Sequence, residues 1–221
     1  MAKLKSSFRN MSLSLGLICI AAGGILAAMN DITREPIAIS KKAKVENALK
    51  AVLPDFDNSP SEEAHWAGLS EGDSLKVYPA KKNGQWVGSA VESNSMKGFS
   101  GEIKIMVGID AEGKIINYKV LEHAETPGLG EKMDDWFRSD KNGQSVLGKN
   151  LSRGSLTVTK DKGEIDAITG ATISSRAFLE ALSRAYSAVF EQGWDAASSA
   201  TENTDRDADS GATNNTEGGE K

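Results

Sequence analysis

Nineteen consecutive residues without a charge, Met11–Met29, constrain this chain more than any other feature of its sequence. As a helix the run would be about 28 Å long, close to the hydrocarbon thickness of a bilayer, so it reads as a transmembrane helix. A cleaved signal peptide is the competing reading. The run is longer than the apolar core of such a peptide, and its end, ILAAMND, has no clean small-x-small cleavage site, so a retained anchor is expected. Lys3, Lys5 and Arg9 precede the run, which predicts a cytoplasmic N-terminus (residues 1–10) and an extracytoplasmic remainder. Arg34, Lys41, Lys42 and Lys44 on the far side weaken that charge bias. Gly23 with Ala27, and Gly24 with Ala28, place small residues four apart, either to admit a neighbouring helix or simply to ease insertion.

The chain beyond the anchor is long enough for one domain of ordinary size. A hydrophobic content of 39% permits a core, and a formal charge of -5 without a basic face argues against a nucleic-acid partner. Cys19 is the one cysteine and lies inside the apolar run, so no disulfide framework or thiolate metal site can be built within the chain. With His65 and His123 as its two imidazoles, the chain is also poorly supplied for a transition-metal centre, and no metal is expected.

Along the domain, Val45, Ala48, Leu49 and Val52 predict a short amphipathic helix over Ser40–Leu53, with Ser40 as a possible cap and Pro54 as its end. A polar loop is expected from Asp55 to about Gly72, with His65 and Trp66 in it. Asn83-Gly84 between two strand-like runs predicts a hairpin. Alternating Ile103, Ile105, Val107 and Ile109, followed by a turn at Ala111–Gly113 and a run from Ile115 to Leu121, predict a second. A third strand pair is expected in SLTVTKDKGEIDAI, turning at Asp161–Gly163, after a short helix over Glu131–Phe137. Phe178, Ala181, Leu182, Ala185 and Val189 share one face of a helix expected over Ser174–Gln192. Hairpins bracketed by helices make the fold class α+β. Residues 195–221 are acidic, rich in Ser, Thr, Asn, Gly and Ala, and lack large apolar residues, so a disordered tail is expected there.

Two stretches carry the candidate chemistry. DAITGATISS, Asp166–Ser175, sets a hydroxyl cluster where a strand pattern gives way to a helix. Gly170 and Ala171 leave the backbone uncovered, and the helix start offers unpaired N–H groups that favour a phosphate, with the Thr172 hydroxyl beside it. The plainer reading is a helix cap by Thr172, Ser174 or Ser175. The loop HAETPGLGEK, His123–Lys132, follows a strand and surrounds Leu129 with Gly128 and Gly130. Backbone amides there could approach a flat ligand, with Glu125 or Thr126 bonding ring edges. Alternatively it is a structural turn, with His123 a satisfied strand-end histidine. Trp66, Trp86 and Trp136 are better read as core aromatics than as stacking partners.

Together the two stretches resemble the covalently flavinylated FMN-binding domains, whose pattern is Asp, two variable residues, Ser or Thr, Gly, Ala, then Ser or Thr. Asp166, Thr169, Gly170, Ala171 and Thr172 match it in register. With the ETPGLG loop, the MVGID strand and the N-terminal span, the chain is most similar to the G subunits of Rnf-type ion-translocating electron transport complexes, relatives of the C subunits of sodium-translocating NADH:quinone oxidoreductases. The resemblance implies a single N-terminal transmembrane helix (11–29), then an FMN-binding domain of antiparallel or mixed sheet with flanking helices (30–194). It implies FMN joined to Thr172 as a phosphoester by a flavin transferase that uses FAD and recognises Asp166. Thr169, Gly170, Ala171, Glu125, Thr126, Gly128, Leu129 and Gly130 would complete the cofactor site. The implied role is that of an electron carrier between ferredoxin and NAD in a bacterial inner-membrane translocase, not catalytic alone, partnered by other membrane subunits. No G-x-G-x-x-G dinucleotide loop is present. The same residues also suit a C-type subunit, or a membrane-anchored binding module without redox chemistry in which TGAT is a cap.

Overall fold

The computed structural model describes residues 8–69, 72–153 and 156–190. The polar tail and the last two residues of the expected C-terminal helix lie outside them.

The chain begins as one α-helix, α1, Phe8–Val52, 45 residues long. It is long and apolar enough to cross a membrane, and none of its apolar window is buried in the protein. The sequence suggested two helices with a break before Ser40. Instead Pro36 is absorbed inside α1. Proline removes one N–H from the helix ladder and crowds the preceding turn. Here the surrounding residues are exposed, so water can reach the carbonyl left without a partner, and no glycine between Asp31 and Ser40 invites the chain to turn.

Five strands come after α1: β1 His65–Gly68, β2 Ser74–Lys82, β3 Gln85–Ser95, β4 Ile103–Asp110 and β5 Ile115–His123. They pair antiparallel in chain order as a meander. The β2–β3 turn is the expected Asn83-Gly84, with φ of 53° and 75°. Two successive positive φ angles match the twist of the strands they join. At the β4–β5 turn Gly113 has φ 83°, and the Asp110 carboxylate accepts from the backbone N–H groups of Glu112 and Lys114 at 2.9 and 2.8 Å. Strand β1 falls where a loop was expected. Its four residues alternate between half-buried and exposed and include Trp66, 68% exposed, so no apolar alternation announces it.

The sheet is covered on both faces. Ala48, Leu49, Val52 and Leu53, at and just beyond the end of α1, bury against Tyr78, Ala80, Ala90 and Met106. A Cβ on Gly108 of β4 would lie 1.9 Å from the Val52 carbonyl oxygen, so the helix end rests directly on bare backbone. Asn117 of β5 donates from Nδ2 to the Ala51 carbonyl at 2.9 Å and satisfies one of the last carbonyls of α1.

Before the last helix lie a three-ten turn at Gly130–Lys132 and the single-turn helix α2, Met133–Trp136, where a short helix was expected. The opposite face of the sheet packs against α3, Thr172–Phe190. Phe178, Ala181, Leu182, Ala185 and Val189 are buried with Ile103, Ile105, Val107 and Ile109. Phe178 stacks on Phe137 at 4.5 Å between centroids and meets Tyr118 edge-on at 4.8 Å.

The third strand pair does not form. A three-ten turn at Thr159–Asp161 and one parallel bridge between Val158 and Ile165 stand in its place. The Thr159 N–H donates to the Ile165 carbonyl at 2.9 Å, and a Cβ on Gly163 would lie 2.1 Å from the Thr157 carbonyl oxygen. The segment closes on itself too tightly for a hairpin, while Val158, Ile165 and Ile168 anchor it in the core.

Candidate functional site

The loop leaving β5 and the start of α3, some 40 residues apart in sequence, meet at one cleft of about 380 Å³. Its lining includes Glu125, Thr126, Leu129 and Gly130 from the first stretch, and Gly170, Ala171 and Thr172 from the second. The two halves touch directly: Gly170 has φ 80°, and a Cβ there would lie 3.3 Å from the Leu129 side chain.

Glu125 ties the halves together from beneath. It is 4% exposed, accepts from the Ser174 hydroxyl of α3 through Oε2, and accepts from the Ser100 N–H at 3.0 Å through Oε1. A buried carboxylate is stable only when its oxygens are bonded in this way. The carboxylate thus clasps the loop before β4 and the first turn of α3. Gly130 is required by the same contact, since a Cβ there would sit 2.7 Å from Ser174 Oγ and 2.8 Å from Glu125. Gly128 is a glycine for another reason: its φ is 74° and the space about it is open. Its N–H donates to Glu131 at 3.0 Å. His123 accepts from the Glu125 N–H at 3.2 Å, a satisfied strand-end histidine.

Two hydroxyls of the cluster stand in different surroundings. Ser175, fully buried, accepts from the Ile168 N–H at 2.9 Å and donates to the Ala171 carbonyl at 2.9 Å, locking the turn into α3. Thr172 is half-exposed, and its hydroxyl meets the Lys160 ammonium at 3.2 Å. The first turn of a helix also leaves N–H groups without intrahelical acceptors, and the Thr172–Ser174 turn borders the cleft.

Asp166 stands apart from the cleft lining. Its carboxylate accepts from the Gly143 N–H at 3.2 Å, and its carbonyl accepts from the Trp136 indole at 2.8 Å. Thr169 is exposed beside Gly170. Trp86 and Trp136 pack on the core and Trp66 lies on β1, none of them lining the cleft. The exposed aromatic at the cleft is Phe99, 67% exposed, joined by Ile173 and Leu129 at 48% and 41%. Sequence reasoning missed Phe99 and Lys160. An aromatic between Gly98 and Gly101, just before a strand, was a usable signal for the first. Nothing in the local pattern singled out the second.

The cleft lining thus combines a hydroxyl, an ammonium and a helix start with three exposed apolar side chains. Those residues fit a ligand with an anionic terminus and a flat apolar body, in a volume ordinary for a small-molecule site.

The FMN-binding domain family matches residues 98–187, which include every cleft residue. The G subunit of the ion-translocating oxidoreductase complex of Vibrio vulnificus is 34% identical over 189 residues, 80% of this chain and 87% of that protein. The chain belongs to this family of G subunits. Its members from Yersinia pestis and Shewanella loihica are 34% and 35% identical, over 81% of this chain and 88% of each of theirs. The crystal structure of Shewanella oneidensis NqrC aligns at 19% identity and a TM-score of 0.38, over 59% of this chain and 69% of that one.

Proposed function

We propose that this chain is the electron-carrying flavoprotein subunit of a membrane-bound, ion-translocating electron transport complex of the ferredoxin/NAD type, with FMN esterified through its phosphate to Thr172. The observation that carries the reading is the division of labour at the start of α3: Ser175 locks the helix turn, while the Thr172 hydroxyl faces the cleft beside Lys160. Thr169, Gly170 and Ala171 surround the phosphate end. Thr126, Gly128 and Leu129 bear on the ring system, over a floor held by Glu125 and Gly130.

FMN supplies the redox chemistry, taking up one or two electrons. The protein binds, orients and shields it. In the loading reaction, by a flavin transferase that recognises Asp166, the Thr172 Oγ–P bond forms and the pyrophosphate bond of FAD breaks. AMP leaves, and the hydroxyl proton is released. Other membrane subunits of the complex are the partners. The domain sits on the extracytoplasmic side of a bacterial inner membrane, anchored by the apolar part of α1.

The full chain co-expressed with a flavin transferase tests this directly. Flavin fluorescence should survive denaturing electrophoresis, and the peptide Gly163–Arg176 should gain one FMN-sized mass that Thr172→Ala abolishes and Thr172→Ser partly retains. A colourless band would overturn the reading in favour of a non-redox binding module. An adduct on Thr169, Ser174 or Ser175 would overturn the assignment of the residue.

A further inference from the structure

Among the described residues that line the cleft, Lys160 is the one cation. Its ammonium lies 3.2 Å from the Thr172 hydroxyl, although the two residues belong to different elements. A surface lysine is a flexible chain that ordinarily finds the nearest carboxylate, and the adjacent Asp161 is such a group. Asp161 is already engaged: Arg176 grips it with two bonds of 2.7 Å, from Nε and Nη2. The guanidinium beside Asp161 holds its carboxyl below the usual carboxylate range. A two-pronged pair of this kind fixes geometry as well as charge.

Arg176 stands four residues after Thr172 on α3, so both project from neighbouring turns of one helix face. One helical turn therefore presents the hydroxyl and, through Asp161, holds the three-ten turn that carries the ammonium opposite it. From this arrangement we infer that Lys160 is the phosphate-binding residue of the site, and that Asp161 and Arg176 are its positioning residues. The inference rests on the reading of Thr172 as the attachment point.

Charge selects which phosphate the site favours. A phosphate monoester carries nearly two negative charges at neutral pH. A phosphate esterified at both ends carries one, which a single ammonium neutralises. Lys160 thus matches the diester made on Thr172 better than free FMN. It also faces the phosphoryl oxygens on which charge accumulates during transfer, and a fixed donor there acts most strongly.

The test uses the purified, unflavinylated full chain with flavin transferase and FAD, and reads the initial rate of covalent flavin formation and the melting temperature. Lys160→Gln should slow the rate tenfold or more without lowering the melting temperature, because Lys160 is an exposed side chain. Lys160→Arg should recover to within about threefold of the wild-type rate. Asp161→Asn, which loosens the turn but leaves both cations in place, should fall between them. A Lys160→Gln protein loaded at the wild-type rate would overturn the inference, as would a Lys160→Arg protein no faster than the glutamine variant. Loss of loading together with a lowered melting temperature in Lys160→Gln would also overturn it, by making the role structural. Covalent flavin persisting in Thr172→Ala would instead overturn the attachment site itself, and this inference with it.

Discussion

Thr172 and Ser175 are one helical turn apart and chemically almost alike, yet their surroundings give them opposite roles. Ser175 is enclosed, with its oxygen completing the Ile168 N–H; Ser175→Ala would leave that buried donor unmatched, at about 1–3 kcal/mol. Thr172→Ala removes a bond to an exposed ammonium and leaves no buried group orphaned, so its effect should stay below the roughly 1 kcal/mol of a lost helix cap. Thermal unfolding of the two variants should separate them clearly: Ser175→Ala destabilised with its flavin mass still on Thr172, Thr172→Ala near wild type in stability but unloaded. Equal destabilisation would mean that Thr172 also supports the helix start. The hydroxyl cluster at the start of α3 was legible from residue types, whereas the identity of the serine that locks the turn was not. It depends on which hydroxyl points inward, a matter of helical phase that no spacing of Ser and Thr specifies.

At the level of elements, the parts that declared themselves were those whose local chemistry and tertiary setting agree. Asn83-Gly84 is a turn wherever it stands between strands, and β4 alternates Ile103, Ile105, Val107 and Ile109 because one face is the core. The parts that stayed hidden are decided by distant contacts. Strand β1 exists because the edge of β2 is available, and residues 156–168 are pinned by three apolar anchors rather than paired as strands. The meeting of α1 with β4 is another such contact. Gly108→Ala would place a methyl 1.9 Å from the Val52 carbonyl oxygen, so the helix end must lift from the sheet. Overpacking of this kind typically costs about 1–3 kcal/mol. Limited proteolysis should cut the Gly108→Ala variant faster near Pro54 than wild type, while the α3 face of the sheet keeps its protection. Unchanged cleavage would show that the helix end yields without undocking.

For the whole molecule, the arrangement is a long helix that ends on one face of a sheet and a ligand cleft built by elements of the other. The proposal that the domain lies outside the cytoplasm rests on Lys3, Lys5 and Arg9 ahead of the apolar run. A C-terminal alkaline phosphatase fusion should therefore be active and a cytoplasmic reporter at the same place inactive, the reverse result assigning the opposite orientation. The continuity of α1 has a further consequence in terms of electrostatic range. From Met29, the end of the uncharged run, to Lys44, whose ammonium donates to the Leu121 carbonyl of β5, the helix advances by roughly 22 Å. The Debye length at physiological salt is about 8 Å, and the potential of anionic headgroups fades over that distance. With the apolar run in a bilayer, the helix meets the sheet beyond the reach of the lipid surface charge. The docking of α1 on the sheet is then indifferent to whether the leaflet beneath is neutral or anionic.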